Sequence, residues 1–151
     1  MTMIERLLEL AHTLAEDGAH SLTLKRRAVS TAYYAVFHAL AKLCADELLE
    51  ARGSSEYERV YRALDHGTLK NAFNSQPLNQ IPEIKKIGNR AVELQSERVR
   101  SDYLPSRRLY TKNQCLDLVS SARIAVGSLG RLSAEHRRTL AVHLLFKNRQ
   151  P

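Results

Sequence analysis

The chain has 151 residues, 44% of them hydrophobic, only 6% aromatic and none of them Trp, so it is long enough for one domain around a core of Leu, Ala, Val and Ile. Its 23 Lys and Arg outnumber 16 Asp and Glu for a net charge of +7, which points to polyanionic partners, with RNA or DNA ahead of an acidic protein. Cys44 and Cys115 stand apart, with no CxxC and no neighbouring His cluster, which argues against a disulfide scaffold and against a zinc site.

β-branched residues are scattered and no apolar/polar alternation lasts for a strand, so the expected class is all-α over a single domain, residues 1–151. A first helix is expected over residues 3–15, with Met3, Leu7, Leu10, Ala11 and Leu14 inward and Gly18 as its stop. Ser21 or Thr23 would cap a central helix running to about Ala51, where Gly53 supplies the end signal. In that helix Val29, Ala32, Tyr33, Val36, Leu40 and Leu43 recur at helical spacing as a core stripe.

Ser55 and Glu58 form a capping-box pattern for a third helix through Leu64. Asp65, His66 and Gly67 break the pattern before a short helical stretch over residues 68–74, and SQPLNQIPE (75–83) is loop-like. Pro82 then suits a first helical position, and Ile84, Ile87, Ala91, Leu94 and Arg98 share one stripe that Leu104 and Pro105 end. A basic connection covers residues 106–110, and Thr111 with Gln114 boxes the start of a helix that turns Cys115, Leu118, Val119, Ala122, Ala125, Val126 and Leu129 inward. Ser133 would cap a last helix carrying Leu140, Leu144 and Leu145, giving four principal helices with shorter ones added.

Glu5 and Glu9 argue against a signal peptide, and His38 and Lys42 interrupt the longest apolar run too early for a bilayer span, so a cytoplasmic protein with no membrane partner is expected. The charge is uneven along the chain. Residues 1–84 hold 9 basic and 11 acidic side chains, and residues 85–151 hold 14 and 5, which suggests a positive surface built by the later helices.

There is no Gly-rich phosphate loop, no GxSxG elbow and no HExxH helix, and no metal or cofactor site is expected. Two groups of residues carry chemistry. On the central helix Arg27, Thr31, Tyr34 and His38 form a polar row, either half-buried packing residues with wet tips or a face that meets a ligand. Further on, Arg98 occupies a slot that calls for an aliphatic side chain, which demands a partner or a solvated opening. Arg98 suits a phosphate held bidentately, Arg100 adds charge, Asp102 is placed to orient Arg98, and Tyr103 is a hydroxyl donor. The alternative is an Arg98–Asp102 pair that locks a helix end.

RRAVSTAYYAVFHAL (26–40), ALDHGTLKNAF (63–73), RVRSDYLP (98–105) and VHLLFKNR (142–149) occur in that order. Together they resemble the HEPN superfamily, in its small prokaryotic branch with an AYYAxFH helix and an R-x-x-(A/S)-D-Y helix end. The resemblance implies an up-and-down four-helix bundle that forms a homodimer. It also implies an RNA- or nucleotide-directed activity, in many relatives a metal-independent endoribonuclease of toxin–antitoxin or defence systems, often beside a nucleotidyltransferase-type partner. In that family an Arg handles the scissile phosphate and a His four to six residues on assists the ribose hydroxyl or the leaving group. Arg98 matches the arginine, but residues 103–105 are Tyr, Leu and Pro. The imidazole would then come from His66 or His38, or the chain would be a non-catalytic binding or dimerisation module.

Overall fold

The computed structural model describes residues 1–18, 21–105 and 110–147. Most of the basic connection, residues 106–109, and the last two residues of VHLLFKNR lie outside that set. The described residues form seven α-helices: α1 (Met3–Asp17), α2 (Leu22–Leu48), α3 (Ser55–Tyr61), α4 (His66–Phe73), α5 (Pro82–Tyr103), α6 (Lys112–Gly130) and α7 (Ala134–Leu145). A short 3-10 turn, Leu78–Gln80, precedes α5, and no strand occurs among the described residues. Among the same residues no helix is long and apolar enough to cross a membrane.

Caps set most of these boundaries. Thr2 accepts from the Glu5 N–H at 3.2 Å while its own N–H donates to Glu5 Oε2 at 2.7 Å, a reciprocal box that opens α1. Thr111 and Gln114 build the same box before α6, and Ser133 accepts from the His136 N–H to open α7. Ser21 caps α2. Several boundaries shift from the sequence expectation, and α3 ends at Tyr61 rather than Leu64. Ser54, not Ser55, caps α3 by accepting from the Tyr57 N–H, and Asp65 caps α4 so that His66 is already helical. Helix α2 stops at Leu48, and Gly53, at φ +82°, takes the left-handed turn that follows.

The chain gathers into two compact units, each made of two stretches: residues 1–36 with 90–127, and residues 37–89 with 128–151. The division falls inside α2, α5 and α6. It also redistributes the charge, because each unit joins an early segment to a late one. The first unit holds eleven basic and eight acidic residues and the second twelve and eight, so the imbalance between chain halves is not one between units.

In the first unit Ile4, Leu8, Ala11 and Ala15 of α1 are buried with Val29, Tyr33, Leu94, Val119 and Ala122. The inward face of α1 is turned from the one expected: Ala11 is buried as read and Leu7 and Leu14 are half-buried, but Met3 and Leu10 are 52% and 49% exposed. Polar ties join the helices of this unit. Arg90 donates to Ser121 Oγ at 3.0 Å, Lys112 pairs with Glu16 at 3.0 Å, and Arg26 donates to the Ser101 carbonyl at 2.6 Å.

The second unit buries Leu40, Leu69, Leu78, Ile84, Ile87 and Leu140. Its α3 buries no residue of its own and is held by Tyr57, which donates to Asp46 Oδ1 at 2.7 Å, and by Tyr61 beside His38. Arg137 of α7 pairs with Glu47 of α2 at 3.0 Å. Gly88 lies against Phe73 so closely that a Cβ there would stand 2.6 Å from the ring.

Candidate functional site

Arg98 sits on the stripe that buries Ile84, Ile87, Ala91 and Leu94, and only 12% of its side chain is exposed. The fold accommodates the charge on aromatic faces. The guanidinium carbon lies 5.2 Å from the Tyr33 ring centre and 5.8 Å from that of Tyr34, two rings set edge to face 5.4 Å apart. Each such contact contributes about 0.5–2 kcal/mol, but a ring face is not a hydrogen-bond acceptor for an in-plane N–H. The carboxylate of Asp102 stands 3.6 Å from Nη1, longer than a charge-assisted hydrogen bond of about 2.7–2.9 Å. Nε is buried with no hydrogen-bond partner among the described residues. This guanidinium is thus held in place but incompletely paired.

The end of α5 is tied down around it. Ser101 is buried, its hydroxyl donates to the Arg98 carbonyl at 2.9 Å, and its own carbonyl accepts from Arg26. Of the residues named from the sequence, this unit brings Arg98, Asp102 and Tyr34 together. Tyr103 is 71% exposed, and Arg27 is exposed on α2. Arg100 is engaged elsewhere: it pairs with Glu97 at 3.0 Å. Glu97 also accepts from the Tyr110 hydroxyl at 2.8 Å, and burial together with that carboxylate pushes the phenol well above its ordinary value. A cavity of about 350 Å³ in this unit is lined by Glu93, Glu97, Arg100, Tyr110, Gln114, Asp117 and Leu118. Its three carboxylates do not suit a phosphate, and Arg98 is not part of its wall.

His38 and His66 belong to the second unit, where they gather at Phe37. The His66 ring stacks on Phe37 at 3.8 Å between centres, and His38 meets the same ring edge-on at 6.1 Å. His38 Nδ1 lies 2.6 Å from the Tyr61 hydroxyl. Burial lowers the imidazole pKa and raises that of the phenol, so both groups favour their neutral forms. Tyr57 is pushed up to about 12 by burial and by Asp46. Burial alone would raise the Asp46 carboxyl, but bonds from Lys42 and Tyr57 and the charges of Lys42 and Arg52 outweigh it and hold it below the ordinary range.

The sequence reading missed Arg26, Ser101, Tyr61 and the Glu97–Tyr110 tie. Only the Arg26–Arg27 doublet carried any signal, and it drew attention to the wrong arginine. Among the described residues no group of three or more His, Cys, Asp or Glu could hold a metal ion. No family model, no curated protein and no solved structure matches the chain.

Proposed function

We propose that the chain is an HEPN-type module directed to RNA or nucleotides in the cytoplasm, with Arg98 receiving a phosphate. The observation that carries this is the Arg98 guanidinium, nearly enclosed, fixed on two tyrosine faces and left with a buried unpaired Nε. A leucine would fill the slot without that cost. Asp102 acts as the positioning carboxylate, and Tyr34 and Arg27 stand on the neighbouring turns of α2 as further ligand contacts. A second copy of the chain and a nucleotidyltransferase-type protein are the partners that the family resemblance adds.

Of the two forms that the resemblance allows, the binding module is favoured over the endoribonuclease. Among the described residues, those found at Arg98 include no imidazole, and the one described histidine of the first unit, His12, stands beside Glu16 on α1 at 3.8 Å. A ribonuclease would need His66 or His38 for the acid–base step.

The test is fluorescence anisotropy with a labelled single-stranded RNA, a labelled stem-loop and a labelled nucleotide, at low and high salt, with EDTA present and products run on a gel. Binding that weakens with salt and no cleavage are expected. Arg98→Lys should weaken binding roughly ten- to hundredfold, because one hydrogen bond to a charged group is worth about 1.5–3 kcal/mol and the fork is lost. Asp102→Asn should weaken binding by less than Arg98→Lys does, because Asp102 acts only through Arg98. Unchanged affinity in Arg98→Lys and Arg98→Ala sinks the proposal; EDTA-resistant cleavage lost in His66→Ala or His38→Ala replaces the binding form with the nuclease.

A further inference from the structure

A cavity of about 790 Å³ lies wholly within the second unit, between α4 and the C-terminal end of α7. That is the volume of a small-molecule site, which runs from roughly 300 to 1,000 Å³. The sequence makes the room. Thr68, Asn71, Ala72 and Ser75 recur at helical spacing along α4 and the turn after it, and all four line the cavity. Their short side chains keep α4 from filling the gap towards α7. Leu144 and Leu145 supply an apolar part of the wall, and Phe146, 58% exposed, adds a ring.

The polar groups of the wall differ in kind. Thr68 donates its hydroxyl hydrogen to the Asp65 carbonyl at 3.0 Å, and Ser75 donates to the Asn71 carbonyl at 2.6 Å. Both hydroxyls therefore keep only lone pairs for a ligand, whereas the carboxamides of Asn71 and Gln76 can donate and accept. Two opposite charges line the same space, the Asp65 carboxylate and the Lys147 ammonium. Oδ1 of Asp65 takes the Gly67 N–H at 2.9 Å. Neither Asp65 nor Lys147 joins an ion pair among the described residues. The adjoining helix ends, with roughly half a charge each, oppose these two side chains without cancelling them.

We infer that this cavity binds a short free peptide, of two or three residues, as the zwitterion. Its ammonium goes to Asp65 and the Thr68 oxygen, its carboxylate to Lys147, and its peptide groups to the amides of Asn71 and Gln76. An apolar side chain packs on Leu145 and Phe146. One negative and one positive side chain match a ligand that carries one charge of each sign. A phosphate would meet a carboxylate with a single lysine against it. Size sets the length of the peptide. A compact cavity of this volume is about 9 Å across, and three extended residues span about 10 Å. The amino nitrogen and carboxyl carbon of a single amino acid are only about 2.5 Å apart, and it would leave most of the space empty. The inference does not rest on the phosphate assignment, because Arg98 belongs to the other unit.

Titration of the full chain with trialanine, trileucine, the N-acetyl and C-amide forms of trileucine, and free leucine tests it, with circular dichroism as the check on folding. Trileucine should bind roughly tenfold more tightly than either blocked form, since each block removes one hydrogen bond to a charged group. It should also bind more tightly than free leucine. Asp65→Asn keeps a capping side chain on α4 but should make trileucine and its N-acetyl form bind equally. Lys147→Gln should do the same for trileucine and its C-amide form. Ala72→Phe fills the cavity and should abolish binding. No binding of trialanine or trileucine overturns the inference. So do blocked forms that bind as well as the zwitterion, free leucine that binds as tightly as trileucine, charge variants that leave the selectivity intact, or a folded Ala72→Phe that binds like the wild type. Phosphate binding is read separately through Arg98, so failure of one proposal is not failure of the other.

Discussion

The Arg98 guanidinium was legible in the sequence because a helical stripe of Ile84, Ile87, Ala91 and Leu94 leads to it and calls for another aliphatic side chain. What neutralises it was not legible. Asp102, the nearest carboxylate in sequence, comes only to 3.6 Å, while Tyr33, read as plain core, supplies a ring face at 5.2 Å. Period and polarity show that a charge is enclosed, but the choice between a carboxylate and an aromatic face is made by tertiary packing. His38 gives a residue-scale prediction of another kind. Burial lowers its pKa in the fold below the ordinary 6.5, so around and below that pH the unfolded chain binds the proton more readily than the folded one. Stability is then full above that value and falls as pH drops through it. Melting curves between about pH 7.5 and about pH 5 should show a steeper loss for the wild type than for His38→Gln. Asp46, held below its ordinary 3.8, contributes stability that is lost only at lower pH, so the two windows are separable.

At the scale of the element, both faces of α1 satisfy the same periodic rule. Met3, Leu7, Leu10 and Leu14 are as good a stripe as Ile4, Leu8, Ala11 and Ala15, and nothing local says which one the fold takes. Residues 54 and 55 pose the same problem in small, because two adjacent serines offer two registers for one cap. Where a single signal stood alone it was enough: Pro82 opens α5, Thr111 and Gln114 open α6, and Ser133 opens α7. Helix α5 carries a tight constraint that the sequence does not announce. A methyl group on Gly88 would stand 2.6, 2.8 and 3.0 Å from three atoms of Phe73. Alanine favours a helix over glycine by about 0.5–1 kcal/mol, but overpacking costs about 1–3 kcal/mol. Gly88→Ala should therefore lower the melting temperature by a few degrees, and Phe73→Leu in the same chain should recover part of the loss. A rise in melting temperature for Gly88→Ala alone would contradict the packing.

Over the whole molecule, position along the chain is a poor guide to position in the fold. The basic second half supplies residues to both units, and each unit ends with eight acids against eleven or twelve bases. A composition plot could not show this, since it depends on which distant segments pack together. Three helices, α2, α5 and α6, pass through the division without interruption. Unfolding either unit would strip the buried face from part of each of these helices, and short helical segments left without tertiary packing are marginal in water. A single cooperative transition is expected.

The two sulfurs make that expectation readable without any added probe. Cys44 lies in the second unit and Cys115 in the first, both buried, with burial pushing their thiols up to about 12 and about 11. Neither should react with iodoacetamide in the native protein, since the thiolate is the reactive form. In a urea series followed by mass spectrometry of each peptide, alkylation of both should rise at one midpoint; two midpoints would mean that the units melt separately. The chain thus carries a natural pair of chemical clocks, one behind each hydrophobic wall, and their synchrony measures how far the shared helices make the molecule fail as a whole.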